Sequence, residues 1–177
     1  QDAGCPADEL KLAKNQNNDT PLLAALAAGM GEDAVDLLAI SAIINTANSK
    51  GVTSLLIACE RDAAGAAKKL IDMGASMNVR DAAGDSPLAV SAFCGSTNCV
   101  ELLLEQGKVL LNQANPTTGC VPLWLAVRAG HENCARILLD HGADASLANK
   151  DNLTPLQVAE KYNRTNMVSL LQKYQQQ

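Results

Sequence analysis

The residues of this 177-residue chain with the chemistry to catalyse or to bind metal are few: six cysteines and two histidines. A structural zinc takes four Cys or His ligands, and redox sites favour close Cys pairs. The cysteines stand at 5, 59, 94, 99, 120 and 134, with no C-x-x-C spacing among them. His131 and Cys134 lie three apart and would share a helix face, which supplies two metal ligands and leaves two unfound. His141 precedes Gly142 where a helix is expected to end, a place where the carbonyl dipoles favour a cation. No nucleophile elbow, phosphate loop or paired-carboxylate motif occurs. Gly29-Met30-Gly31 is too short for a phosphate cradle and follows a helical pattern. The sequence therefore assigns no catalytic residue, no metal ligand and no cofactor. Three Asn-x-Thr sequons begin at Asn18, Asn152 and Asn163. Two of them end on Thr20 and Thr154, residues with a structural task of their own.

That task appears in a repeated triplet. Thr20-Pro21-Leu22, Thr53-Ser54-Leu55, Ser86-Pro87-Leu88, Val121-Pro122-Leu123 and Thr154-Pro155-Leu156 recur at spacings of 33, 33, 35 and 33 residues. A hydroxyl at Thr20, Ser86 or Thr154 can cap a helix by accepting a backbone N–H. Proline suits the first turn, where its missing N–H costs nothing. The leucine is then the first core contact. Small residues follow (Ala24-Ala25, Ala58-Cys59, Ser91-Ala92, Ala126-Val127, Ala159), letting neighbouring helices approach closely. Gly29, Gly95 and Gly130 close this first helix in a left-handed conformation. A second helix carries Leu37-Leu38, Leu70-Ile71, Leu102-Leu103, Ile137-Leu138 and Leu170-Leu171, and ends at Gly74, Gly107 and Gly142. The pairs Asn48…Gly51, Asp81…Gly84 and Asn115…Gly119 make the turn into the next unit. In the last junction Asn152 replaces glycine, since Asn also tolerates left-handed angles.

This pattern resembles the ankyrin repeat, a unit of roughly 33 residues with a T-P-L-H-x-A signature. The resemblance covers about residues 15–174 and is strongest from Val121-Pro122-Leu123-Trp124-Leu125-Ala126 to His141-Gly142-Ala143-Asp144. It implies an all-α ankyrin-repeat solenoid of helix-turn-helix units joined by short hairpin-like finger turns. The expected organisation is an N-terminal capping segment or end of a preceding repeat at 1–14, then repeats at 15–48, 49–81, 82–116 and 117–149. A fifth repeat with a C-terminal cap takes 150–177. Some units depart from the pattern. Unit one lacks the Gly-Ala-Asp end, carrying Ser41-Ala42-Ile43-Ile44, and has an extra residue near Met30-Gly31. Unit two has Asp62 in place of glycine. Unit three is two residues longer between Val109 and Thr118, where its finger is expected to bulge.

Bulk properties agree with a thin stack. Apolar residues make up 47% of the chain and aromatics only 2%, too few to fill the wide spaces of a compact globule. The net charge is −5 and unevenly spread. Residues 1–120 hold 8 Lys/Arg against 14 Asp/Glu, whereas residues 121–177 hold 6 against 5. A chain with no basic stripe is a poor match for a phosphate backbone, so no nucleic acid is expected. No apolar run reaches the roughly 18 residues of a membrane span; Ala34 to Ala47 is broken by Asp36, Ser41 and Asn45. The opening Gln1-Asp2-Ala3-Gly4-Cys5 is not a signal peptide, and the chain reads as part of a longer protein.

In the repeat frame Cys59, Cys99 and Cys134 occupy small or apolar slots, as structural thiols in a reducing compartment. Cys94 and Cys120 fall on slots expected to be exposed. The resemblance further implies that a partner lies in the concave groove formed by finger tips and first-helix faces. By register that groove contains Glu60, Arg61, Asp85, Phe93, Trp124, Arg128, Lys161 and Tyr162. Three of the four aromatics fall there, beside Arg128, Lys161 and Arg164, and Trp124 is expected to face the groove. Trp, Tyr and Arg dominate binding hot spots, so the C-terminal half is expected to grip an acidic or aromatic-bearing peptide segment. Asn78, which closes its unit after Gly74-Ala75, matches the slot that asparaginyl hydroxylases modify in such repeats. The function expected is a non-catalytic protein-interaction module, a scaffold or adaptor in the cytoplasm or nucleus, with no small-molecule substrate. The alternative is a regulatory domain of a larger enzyme, kinase or ion channel.

Overall fold

A computed structural model describes residues 13–38 and 43–175, without the side chain of Leu37. These residues contain ten helices and no strand. They form five pairs: α1 (Pro21–Ala27) with α2 (Glu32–Leu38), α3 (Ser54–Glu60) with α4 (Ala64–Asp72), α5 (Pro87–Cys94) with α6 (Thr97–Glu105), α7 (Pro122–Ala129) with α8 (Glu132–Asp140), and α9 (Pro155–Lys161) with α10 (Thr165–Gln175). First helices pack in one row and second helices in another, each against its neighbour along the chain. The solenoid expected from the repeat is thus the architecture observed. The expected capping segment 1–14 lies outside the described residues except for Ala13 and Lys14. Ser41, Ala42 and the last two glutamines also lie outside them.

The first helices start as the triplets dictate. Leu23 N–H donates to Thr20 Oγ1 at 3.2 Å and Ala89 N–H to Ser86 Oγ at 3.3 Å. Gln157 N–H donates to Thr154 Oγ1, while Thr154 N–H donates back to Gln157 Oε1 at 2.9 Å, a complete capping box. Each cap is worth about 1 kcal/mol. Unit two has neither Pro nor a cap bond, since Thr53 makes none. Packing holds α3 instead, where Ser54 through Cys59 are all buried. The triplet leucines Leu22, Leu55, Leu88 and Leu123 are fully enclosed, as are Leu70, Leu103, Leu138 and Leu171 of the second helices. Truncating one of them to Ala would cost about 2–5 kcal/mol.

The finger turns form a ladder. Each is closed by one backbone bond: Asn48 to Val52, Asp81 to Asp85, Asn115 to Cys120 and Asn149 to Leu153. The opening Asn or Asp also accepts backbone N–H groups on its side-chain oxygen, for example Asn149 Oδ1 from Asp151 and Leu153. Successive turns are stitched by Ala82 N–H to the Lys50 carbonyl at 2.8 Å and Lys150 N–H to the Thr118 carbonyl at 2.9 Å. Between them Pro116 occupies the donor position and has no N–H to give. Asn115 Nδ2 donates to the Ala83 carbonyl at 2.9 Å in its place. The two extra residues of unit three are split, one between Gly107 and Asn115 and one inside the turn, so the bulge stays compatible with the ladder.

Asp62 shows why one unit can depart from glycine. Its φ is +54°, the left-handed conformation that glycine adopts at Gly95 and Gly130. Its carboxylate reaches the next unit, accepting from Cys99 N–H at 2.9 Å and Asn98 Nδ2 at 2.7 Å. That places a negative charge on the unpaired N–H groups at the start of α6, where it is stabilising.

Candidate functional site

Glu60, Phe93, Arg128 and Lys161 are each the seventh residue of a first helix, in α3, α5, α7 and α9. All four are exposed. Arg61 and Tyr162 follow directly as the C-terminal caps of α3 and α9. The common register exists because the triplet starts every first helix at the same point, and the four helices pack side by side. Phe93 is 49% exposed and Tyr162 50%, unusual values for large apolar side chains.

Four of the eight expected residues line one cleft of about 400 Å³: Trp124, Arg128, Lys161 and Tyr162. Its outer wall is the pair of finger turns carrying Thr117, Thr118, Lys150 and Asp151. The cleft is open and bears Arg128, Lys150 and Lys161 against Asp151. Trp124 differs from expectation. Only 6% of it is exposed, because its indole packs between α7 and the finger of unit five. Its Nε1–H donates to the Leu153 carbonyl at 2.9 Å, and the Arg128 guanidinium lies over its ring, 5.8 Å from the centroid. Trp124 is thus the floor of the cleft, holding a finger and a cation in place.

The other expected residues are placed differently. Phe93 lies one unit away along the row and does not line the cleft. Glu60 and Arg61 lie two units away, with opposite charges in sequence. Asp85 is half-buried and accepts from Asn115 Nδ2 at 2.6 Å, so its carboxylate serves the ladder and not the groove. Arg164, expected among the cations around the aromatics, donates to the Arg128 carbonyl at 3.0 Å and packs on Gly130 at the end of α7. Lys150 lines the cleft as well, outside the eight residues that the register indicates. Its signal was its place at the tip of the last finger, where its Nζ donates to the Pro116 carbonyl.

Cys59, Cys99 and Cys134 are buried, as their slots required, and Cys94 is exposed. Cys120 is corrected: it is 4% exposed and packs at the base of the cleft. Burial raises the pKa of the Cys94, Cys120 and Cys134 thiols above the ordinary thiol range. Among the described residues no three His, Cys, Asp or Glu side chains gather as a metal site. Asn18, Asn152 and Asn163 all have positive φ, so the sequons coincide with turn positions. Asn78 is exposed and bridges to the next unit, donating to the Lys108 carbonyl and accepting from Leu110 N–H. No described helix is long and apolar enough to cross a membrane.

Comparison with known proteins agrees with this geometry. The family model described as ankyrin repeats (3 copies) matches residues 22–113, 55–149 and 107–177. The chain belongs to the ankyrin repeat family. It is 33% identical over 111 residues to an ankyrin repeat protein of Fowlpox virus, covering 62% of this chain and 32% of that protein. It is 28% identical over 131 residues to a tyrosine-protein kinase of Hydra vulgaris, covering 74% of this chain and 17% of the kinase. An E3 ubiquitin-protein ligase of Arabidopsis thaliana is 29% identical over 152 residues, covering 84% of this chain and 9% of the ligase. The chain therefore spans a third or less of the length of each.

Proposed function

We propose that this chain is a non-catalytic interaction module that holds a segment of a partner protein along the exposed first-helix row of units three to five. The observation that carries the reading is the cleft. It joins an exposed tyrosine to Arg128, Lys150 and Lys161 over a fixed indole floor, and Phe93 stands exposed in the adjacent unit. Aromatic and Arg side chains held on rigid helices contribute affinity at low entropic cost. The excess of cations over Asp151 favours an acidic segment. Partner attachment to a scaffold or adaptor in the cytoplasm or nucleus fits the same surface, and Asn78, exposed beyond the second helix of its unit, remains a hydroxylation candidate. A second reading, a regulatory module within a longer enzyme, is favoured by the kinase and ligase relatives, of which this chain matches a small part.

Site-specific photocrosslinking tests the groove. A benzophenone side chain placed at Phe93 or Tyr162 should yield partner adducts, whereas the same group at Lys68, on the exposed side of α4, should not. Adducts formed from Lys68 and from neither groove position would refute it.

A further inference from the structure

The exposed row carries a periodicity as well as a location. Three consecutive first helices present Phe93, Arg128 and Lys161 at the same seventh position. Among the described residues neither the Arg128 nor the Lys161 side chain makes an ion pair or hydrogen bond, and Arg128 rests on the Trp124 ring with its charge uncompensated, so both charges are available in the row. The finger ladder gives the distance between units. Each turn is two extended segments wide, closed by its own bond (Asp81 to Asp85, Asn115 to Cys120, Asn149 to Leu153). Asn115 Nδ2 bonds the first of these to the second through the Ala83 carbonyl, and Lys150 N–H bonds the second to the third through the Thr118 carbonyl. Strands bonded this way stand about 4.8 Å apart, so one unit advances by about 9.6 Å.

A bound segment must repeat its side chains on one face at that distance. A β-strand returns a side chain to the same face every second residue, at about 6.7 Å or 13 Å, and neither value fits. A polyproline II helix returns every third residue and rises about 3.1 Å per residue, or about 9.3 Å per turn. Over the two steps from Phe93 to Lys161 the mismatch is about 0.6 Å, well within side-chain reach. We infer, resting on the groove reading above, that the partner segment is a polyproline II stretch of the form apolar-x-x-acidic-x-x-acidic. The apolar residue would pack on Phe93, and the two carboxylates would face Arg128 and Lys161. Tyr162, beside Lys161 in the cleft, offers a ring on which an intervening proline can pack.

The test uses the full chain and two dye-labelled peptides of identical composition, Leu-Pro-Pro-Glu-Pro-Pro-Glu and the register-shifted Leu-Pro-Glu-Pro-Glu-Pro-Pro, with binding read by fluorescence anisotropy. The in-register peptide should bind at least about ten-fold more tightly than the shifted one, the 1.4 kcal/mol equivalent of one well-placed charge contact. The double variant R128E/K161E, shown to be folded by circular dichroism, should lose that preference. It should instead take Leu-Pro-Pro-Lys-Pro-Pro-Lys. Equal binding of the two glutamate peptides, with both lost on R128E/K161E, would overturn the register while leaving the groove intact. Binding of both peptides unchanged by R128E/K161E would overturn the groove reading as well. Absence of binding by any peptide would overturn the inference.

Discussion

Replacing Trp124 separates a residue that contacts the partner from one that supports the residues that do. In W124F the ring stays apolar and the Nε1–H is lost. The Leu153 carbonyl keeps one donor, Asn149 N–H at 3.1 Å, so only its second bond disappears. That loss is worth about 0.5–1.5 kcal/mol, and weakening the stack with Arg128 adds about 0.5–1 kcal/mol. W124F should therefore unfold about 1–2.5 kcal/mol more easily. W124A, which also empties the floor of the cleft, should lose about 3–5 kcal/mol. Urea denaturation followed by far-UV circular dichroism measures both. Trp124 is the sole tryptophan, so its emission in the native protein should be blue-shifted and shielded from iodide. Affinity for an in-register acidic peptide should change little in W124F and fall sharply in Y162A. A W124A variant that loses less than about 1 kcal/mol and yet abolishes binding would refute the reasoning, because the indole would then be a contact and not a floor.

Two further outcomes test the frame. D62G should be about 1 kcal/mol less stable than the wild type, because relief of the left-handed strain does not replace the bonds to Cys99 N–H and Asn98; D62A, which keeps strain and loses the bonds, should lose about 2–3 kcal/mol. Denaturation midpoints decide it, and a D62G protein as stable as wild type would remove the cross-unit cap. Among the described thiols only Cys94 should be alkylated by iodoacetamide in the native state. Its rate should be slow at neutral pH and rise about ten-fold per pH unit toward and past pH 9, since the thiolate is the reactive form and burial, with Glu60 nearby, disfavours it. Peptide mapping by mass spectrometry would detect the failure, which is equal labelling of Cys120.

The unit was legible in sequence because each contact is written several times. One such triplet is weak evidence, but five in register place ten described helices and the three side-chain caps at Thr20, Ser86 and Thr154. What escaped was set by neighbouring units. Trp124 occupies a position whose exposure depends on how closely the next finger lies over it, and no residue near Trp124 in sequence reports that distance. Cys120 stands in a turn, which suggests solvent, yet the adjoining finger covers it. Arg164 and Asp85 have the charge of groove residues and spend their hydrogen bonds on the stack. Glu60 and Phe93 are exposed because the helical register alone determines their face.

Departures from the repeat are where neighbouring units complement each other. Pro116 removes a ladder donor and Asn115 supplies one; Asp62 gives up glycine and caps α6; Arg164 reaches back to the end of α7. In a solenoid each unit contacts only its neighbours, so such compensation has to be local. The seventh position of the first helix takes no part in it. At Glu60 and Arg128 the inter-unit hydrogen bonds use the backbone carbonyl, and the Arg128 side chain rests on Trp124 of its own unit. Substitution there changes the charge and shape offered to a partner at little cost to the stack. The Glu, Phe, Arg and Lys at that position can thus be set by what the chain binds, whereas the triplets are set by how it folds. The same separation makes R128E/K161E a usable probe: the variant should lose little beyond the Arg128–Trp124 stack, about 0.5–1 kcal/mol, and exchange its preference for acidic segments for basic ones.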